Sequence, residues 1–331
     1  MKKVIIFVFA ISLVLCGCKA KPDTVSSSPS GTENVTSEVS KPQESQPEEP
    51  ATTEESSVPT VSVVESKPVE TTSKITVKEP EISLGYTVND PDNARMLSTE
   101  RKGYSFGVAR DGAPHSISVN NQLYFDGLSD VKALALDTKS SQKRLYLTFD
   151  CGYEYQGITG DILDVLLQYN VKAAFFCTLE YIKDNPQFVS RMINEGHIVG
   201  NHSATHPSFP NLTRTQMANE IYRVDATLQE NFNYHSPYFR FPEGAYSECA
   251  LDLVTSVGFR SIFWSVAYAD WDTSKQLGTQ NAFDTVTSRL HPGAVILLHA
   301  VSIDNANALP SIIEYAVNNG YTFCSLDEYL W

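Results

Sequence analysis

The chain of 331 residues carries 39 acidic against 25 basic side chains, a formal net charge of −14 at neutral pH. Such a length forms one large domain or two ordinary ones, and the negative sign excludes nucleic acid as a partner, because phosphate contacts need a basic face. Close to half of the excess lies in residues 19–82, which hold 12 acidic and 6 basic residues, so the acidity describes a tail more than a site.

Lys2 and Lys3 precede an apolar run from Val4 to Leu15. That run is too short to cross a bilayer as a stable helix and has the form of an export signal. It closes on Leu15-Cys16-Gly17-Cys18, which resembles a bacterial lipoprotein cleavage box; a plain signal peptide is the alternative. Residues 1–18 are expected to be a lipoprotein signal, with Cys18 lipidated at the mature N-terminus. At about 0.8 kcal/mol per buried CH₂, several acyl chains hold a protein firmly, so the expected location is the outer face of the cell membrane. Residues 19–82 are mostly Ser, Thr, Pro, Glu and Val with almost no aromatics. A segment of this composition cannot bury enough apolar surface to offset its ordering entropy, and a disordered, extended spacer is expected. Of the six cysteines, Cys151, Cys177, Cys249 and Cys324 lie beyond the signal without a CxxC pattern, and no disulfide framework is expected.

Between residues 83 and 142 the aromatics Tyr104, Phe106, Tyr124 and Phe125 return, with turns expected at Asp111-Gly112 and Asn120-Asn121. This reads as a partly irregular N-terminal extension that packs on a catalytic body, with no chemistry visible in it. From residue 143 to 331 the pattern becomes repeated βα. Strand-like runs occur at Leu145–Phe149, Ala173–Cys177, His197–Gly200, Tyr238–Phe241, Ser261–Ser265, Ala294–Leu298 and Tyr321–Cys324. Helix-period stretches separate most of them, at Asp161–Gln168, Gln187–Glu195, Thr215–Glu230, Glu248–Ser256, Ala282–Leu290 and Leu309–Asn318. Strands alternating with helices imply a parallel sheet with right-handed crossovers. About seven units favour an α/β fold of the irregular (β/α)7 barrel type over a doubly wound sheet.

Five stretches carry the chemistry. Asp150 and Cys151 end the first strand of the repeat, and strand ends are where an α/β barrel places reactive groups. A capping Asp and a Cys packed as a small hydrophobe are the plainer alternative. His202 and His206 follow another strand end; on a helical turn a spacing of four places both imidazoles on one side, fit to chelate an ion. Arg240, in Phe239-Arg240-Phe241-Pro242-Glu243-Gly244, supplies a permanent cation that would keep a nearby Asp ionised, unless it forms a surface ion pair. Trp264, Tyr268, Asp270 and Trp271 suit a sugar-stacking wall or core packing. His299 emerges from the apolar strand Ile296-Leu297-Leu298, either as a satisfied core histidine or as a general acid.

In order and spacing these stretches resemble the polysaccharide deacetylases, the NodB homology family or carbohydrate esterase family 4, over about residues 145–330. Within that family the chain looks most similar to the delta-lactam-biosynthetic de-N-acetylases of spore-forming bacteria. The shared motifs are TFD-x-GYE from Thr148, GNHS-x-x-HP from Gly200, FWSVA-x-x-DW from Phe263 and LLH-x-VS-x-DNA-x-AL from Leu297. The resemblance implies an irregular NodB-type barrel and de-N-acetylation of N-acetylmuramic acid in peptidoglycan. An amidase partner would first remove the stem peptide, and the product would close to muramic δ-lactam, with the spore cortex as the implied setting. It further implies Asp150 as catalytic base and Arg240 as its orienter. The backbone N–H of Glu243 would be the oxyanion donor, His299 the general acid, and His202 and His206 the ligands of a divalent metal, with zinc expected.

Two positions depart from the family pattern. Cys151 stands where most members have a metal-ligating Asp, and Ala267 where most have the Asp that supports the catalytic His, although Asp270 and Trp271 are kept. As a thiolate Cys151 would complete a Cys/His/His set that zinc accepts; as a neutral thiol it would leave two protein ligands. Ligation by Cys151 is the expectation. The competing functional readings are a deacetylase of N-acetylglucosamine or another acetylated polysaccharide, and a catalytically silent cell-wall-binding lipoprotein.

Overall fold

Alternation along each strand divides its side chains between an interior and an outer layer of helices, and that division places the site. The computed structural model describes residues 76–78 and 85–331; the signal peptide, Cys18 and nearly all of the spacer lie outside the described residues. The extension contributes β1 (Lys102–Gly103), α1 (Ser116–Asp126) and β2 (Ala133–Leu134). The repeat follows as β3 (Arg144–Cys151), α2 (Ile158–Gln168), β4 (Ala174–Cys177), α3 (Leu179–Asp184), α4 (Pro186–Asn194), β5 (Ile198–Asn201) and α5 (Arg214–Phe232). It continues with β6 (Tyr238–Phe239), β7 (Ala245–Tyr246), α6 (Glu248–Ser256), β8 (Arg260–Ile262), α7 (Thr279–Thr287), β9 (Ala294–His299), α8 (Ile303–Asn318) and β10 (Thr322–Phe323).

β3 lies between β4 and β9, and the parallel order runs on through β5, β6 and β8 to β2, with β10 paired to the start of β3. Parallel neighbours require crossover connections, which the intervening helices supply. Val266 bridges Ile296 and Leu136 bridges Ala294, so the sheet curls back on β9. The result is the irregular (β/α)7 barrel that the sequence pattern implied.

One face of β3 presents Leu147, Phe149 and Cys151 to the helices, in a cluster with Ile162 and Leu166 of α2 and Ile312 of α8. The other face turns Tyr146 inward, against Phe176, Ile198 and Val295. Helix starts are fixed by side chains that accept main-chain N–H groups: Thr213 with Gln216 in a capping box for α5, Ser247 for α6 and Ser302 for α8. Each such cap is worth about 1 kcal/mol. Among the described residues no helix is long and apolar enough to cross a membrane.

The extension differs from its sequence reading at one turn. Asp111 and Gly112 do turn, with φ of 53° and 68°, but Asn120-Asn121 lies inside α1. The buried face of α1 is Ser118, Gln122 and Phe125, too polar to show as hydrophobic periodicity. Its polarity is satisfied by main chain: Gln122 accepts from the N–H of Ala135 and Leu136 and donates to the carbonyl of Ala133. The extension also supplies sheet, because β2 pairs with β8 in parallel and β1 pairs with β7 antiparallel.

Candidate active site

β3 and β9 are paired in register so that Asp150 and His299 are direct neighbours. Both line one cavity of about 1070 Å³, together with His202, His206, Glu243 and Trp264. The five separated stretches therefore meet at one place, each delivered by a strand end or the loop after it.

The Asp150 carboxylate accepts from Arg240 Nη1 at 2.8 Å. Burial pushes its carboxyl up, but the Arg240 guanidinium, with His202 and His299, more than offsets this and holds it below the usual carboxylate range. Asp150 is thus ionised at neutral pH. Arg240 is no surface residue: it is fully buried, donating to Thr148 Oγ1 at 2.8 Å and to the carbonyls of Ile262 and Phe263, with its guanidinium 4.2 Å from the Phe176 ring centre. Phe239 and Arg240 follow β5 in register, so strand pairing sets where the cation is delivered.

His299 Nδ1 lies 2.6 Å from Asp270 Oδ1, and its main-chain N–H donates to Asp270 Oδ2 at 2.8 Å. Asn305 of α8 donates to the same oxygen at 2.6 Å. Burial would lower the His299 pKa, yet the Asp270 hydrogen bond and charge, with the Asp150 charge, raise it above the ordinary histidine value. The carboxylate that supports His299 is therefore Asp270, and Ala267 leaves no gap in that arrangement.

His202 Nδ1 faces the Arg240 carbonyl at 2.9 Å. A carbonyl only accepts, so Nδ1 carries the proton and Nε2 is bare. Burial brings the His202 pKa down to about 4, which keeps the ring neutral. Nε2 points at Asp150 Oδ2 from 3.5 Å, and the His206 ring centre is 4.9 Å from that of His202. The spacing of four is met by a loop and not by a helical turn, because Ser203 and His206 take φ of 66° and 57°. Glu220 of α5 holds this loop by accepting from the Thr205 N–H at 2.7 Å and the Thr205 hydroxyl at 3.0 Å.

The expectation that Cys151 ligates a metal is corrected. Strand alternation turns it away from Asp150 into the helix-facing core, fully buried beside Cys177, and it does not line the cavity. Burial and the neighbouring Cys177 push its thiol well above the ordinary value, which disfavours the thiolate a metal needs. His202 and His206 offer two nitrogens, but no group of three His, Cys, Asp or Glu among the described residues is arranged to hold a metal ion. The donor set does not fit a three-ligand zinc centre. Cys151→Ala is expected to leave metal content per chain unchanged, measured by elemental analysis, while costing about 0.5–1.5 kcal/mol of stability for the small void.

Glu243 takes φ of 58° and Gly244 φ of 61° in a tight turn on the cavity wall. A Cβ on Gly244 would meet the Trp264 ring at 2.9 Å and Tyr104 Cβ at 3.1 Å, so glycine is required there. The Glu243 side chain is half exposed and pairs with Arg101 at 3.3 Å. Trp264, Tyr268 and Trp271 all line the cavity, which supports the aromatic wall over plain core packing. Sequence reading missed Glu220, Asn305, Arg101 and Phe106, the last a cavity residue from the extension. None carries a local signal, because each acts across a long chain separation.

A parallel barrel with a buried Asp–Arg pair beside a His–Asp pair at its mouth has the parts of a general acid/base hydrolase, and comparison with known proteins gives the family. Residues 137–262 match the polysaccharide deacetylase family. The chain is 41% identical over 193 residues to the peptidoglycan-N-acetylmuramic acid deacetylase PdaA of Bacillus subtilis, an overlap of 58% of this chain and 73% of that one. It is 32% identical to a peptidoglycan-N-acetylglucosamine deacetylase of Bacillus cereus over 59% of this chain and 70% of that one. The solved structure of Bacillus subtilis PdaA, a family 4 carbohydrate esterase, superposes with a TM-score of 0.66 at 37% identity, covering 70% of this chain and 97% of that one. The chain belongs to the polysaccharide deacetylase family, carbohydrate esterase family 4, and is a hydrolase of N-acetyl amide bonds.

Proposed function

We propose that the protein removes the acetyl group from N-acetylmuramic acid in peptidoglycan whose stem peptide an amidase has already cleaved, yielding the amine that closes to muramic δ-lactam. The observation that carries the chemistry is the in-register pairing of Asp150 with His299, each holding its own oppositely charged partner. Asp150, ionised and aimed by Arg240, takes the proton of a water that attacks the acetyl carbonyl carbon. The N–H of Glu243 shares the negative charge on the carbonyl oxygen. His299, kept protonated by Asp270, gives its proton to the leaving nitrogen as the C–N bond breaks, releasing acetate and an amine. His202 and His206 line the same cavity beside Asp150. The lactyl carboxyl of a muramic residue then lies beside the new amine, so the nitrogen can attack the carboxyl carbon intramolecularly, the C–O bond breaking with loss of water as the lactam forms.

The muramic specificity is supported by the name of the PdaA relative, and the glucosamine-directed relative makes N-acetylglucosamine the second reading. A lipid on Cys18 would tether the enzyme outside the cell membrane, next to wall or spore-cortex glycan. Intact peptidoglycan, amidase-treated peptidoglycan and chitin oligomers, each incubated with the enzyme and analysed for acetate and lactam by mass spectrometry, test the proposal. Acetate with lactam from the amidase-treated glycan is expected; acetate from chitin alone would replace the reading with the glucosamine one.

The pH profile has a defined sign. A raised His299 pKa keeps the acid protonated to above about pH 6.5, so activity is lost as pH rises through that raised value. Asp270→Asn removes the hydrogen bond and charge of Asp270 that raise it, leaving burial, which lowers it, opposed by the Asp150 charge. The alkaline limb of acetate release is expected to shift to lower pH, read from rates between about pH 5 and 9.

A further inference from the structure

Arg289 follows α7 and reaches the catalytic cavity, where its Nη1 donates to the Ala267 carbonyl at 2.5 Å. Among the described residues it is the only arginine or lysine lining that cavity, and no carboxylate pairs with it. The other charges there are accounted for: Asp150 is tied to Arg240, Glu243 to Arg101, and Glu180 is exposed. A guanidinium has five N–H donors in a planar fork, and here one carbonyl occupies one of them. Holding such a cation partly out of water without a counter-ion is unfavourable, and Ala267 beside it offers a carbonyl but no carboxylate. The arrangement lacks an anion, and the cavity is where a ligand would bring one.

We propose that Arg289 is the specificity residue of this site, pairing bidentately with the free lactyl carboxylate of a muramic residue. The proposal rests on the muramic reading above and deepens it. N-acetylglucosamine carries no such carboxylate, and in peptide-bearing muramic acid the lactyl carboxyl is a neutral amide. A fork matched to a planar carboxylate would therefore select the peptide-free muramic residue against both.

The test uses the purified enzyme and two glycans: amidase-treated peptidoglycan, and the same glycan with its carboxyls converted to methylamides by carbodiimide. The wild type is expected to favour the carboxylate form by about 10–100-fold in kcat/KM, mainly through KM, the worth of a hydrogen-bonded charge. In Arg289→Gln that ratio is expected to fall close to one. Arg289→Lys, which keeps the charge and loses the fork, should give an intermediate ratio and guards against a glutamine variant that does not fold. A ratio unchanged in both variants, with the two rates falling together, would assign Arg289 to structure alone and overturn the proposal. Wild-type acetate release from chitin oligomers but from neither muramic glycan would overturn the muramic reading and this inference together. Wild-type lactam formation with no preference for the carboxylate form would sink this inference while leaving that reading standing.

Discussion

Asparagine at position 150 is expected to lower acetate release by roughly 10²–10⁴-fold, the worth of a positioned proton acceptor. Asn keeps the size of the side chain and an oxygen for Arg240 Nη1, but it cannot take a proton from water. Its other effect is on Arg240, which is fully buried and has no second carboxylate among its hydrogen-bond partners. Thermal stability should therefore fall as well, and rates must be compared well below the melting transition of the variant. A variant that melts lower yet releases acetate at the wild-type rate at low temperature would remove Asp150 from the reaction.

The larger effect on stability is expected from Arg240→Met. Removing one partner of a buried ion pair typically costs about 3–5 kcal/mol, because the other charge is left uncompensated. The sign with pH differs between the two proteins. In the wild type the Asp150 carboxyl is held low, so the pair stabilises the fold above the unfolded carboxylate pKa and the contribution is lost as pH falls. In Arg240→Met burial, the largest influence on Asp150, is opposed only by the histidines, and its pKa should rise above the unfolded value. The penalty would then be full at neutral pH and shrink as pH falls through that raised value. Denaturant unfolding at about pH 7 and 5 measures both; an equal loss at the two values would mean that the cost is packing and not charge.

Much of this arrangement is legible in the sequence because strand tips carry its chemistry. The runs around Phe149, Val199, Phe239 and Leu298 are short and apolar, and each hands over to a polar residue where the strand or its loop reaches the cavity. What went astray was phase. Asp150 and Cys151 are adjacent in the chain, and adjacency suggested a shared site, but a strand sends successive side chains to opposite faces. The same alternation explains why Leu147 and Phe149 mark the Cys151 side as core. The helix in the extension was hidden for a different reason: its buried face is held by the Gln122 amide, and hydrogen bonds leave no periodic trace. Asn305, 35 positions from Asp270, and Glu220, 15 from Thr205, likewise act through contacts that no local pattern records.

The pairing of Ala133 and Leu134 with Ser261 and Ile262 bears on where this enzyme can be cut. The family match starts at residue 137, three positions beyond β2. A shortened chain beginning there would strip β8 of one of its two neighbours and leave unpaired N–H and C=O groups along a bare sheet edge, the template on which separate molecules aggregate. It would also lose β1 from beside the Glu243 turn. The smallest piece that behaves in solution should begin ahead of Lys102.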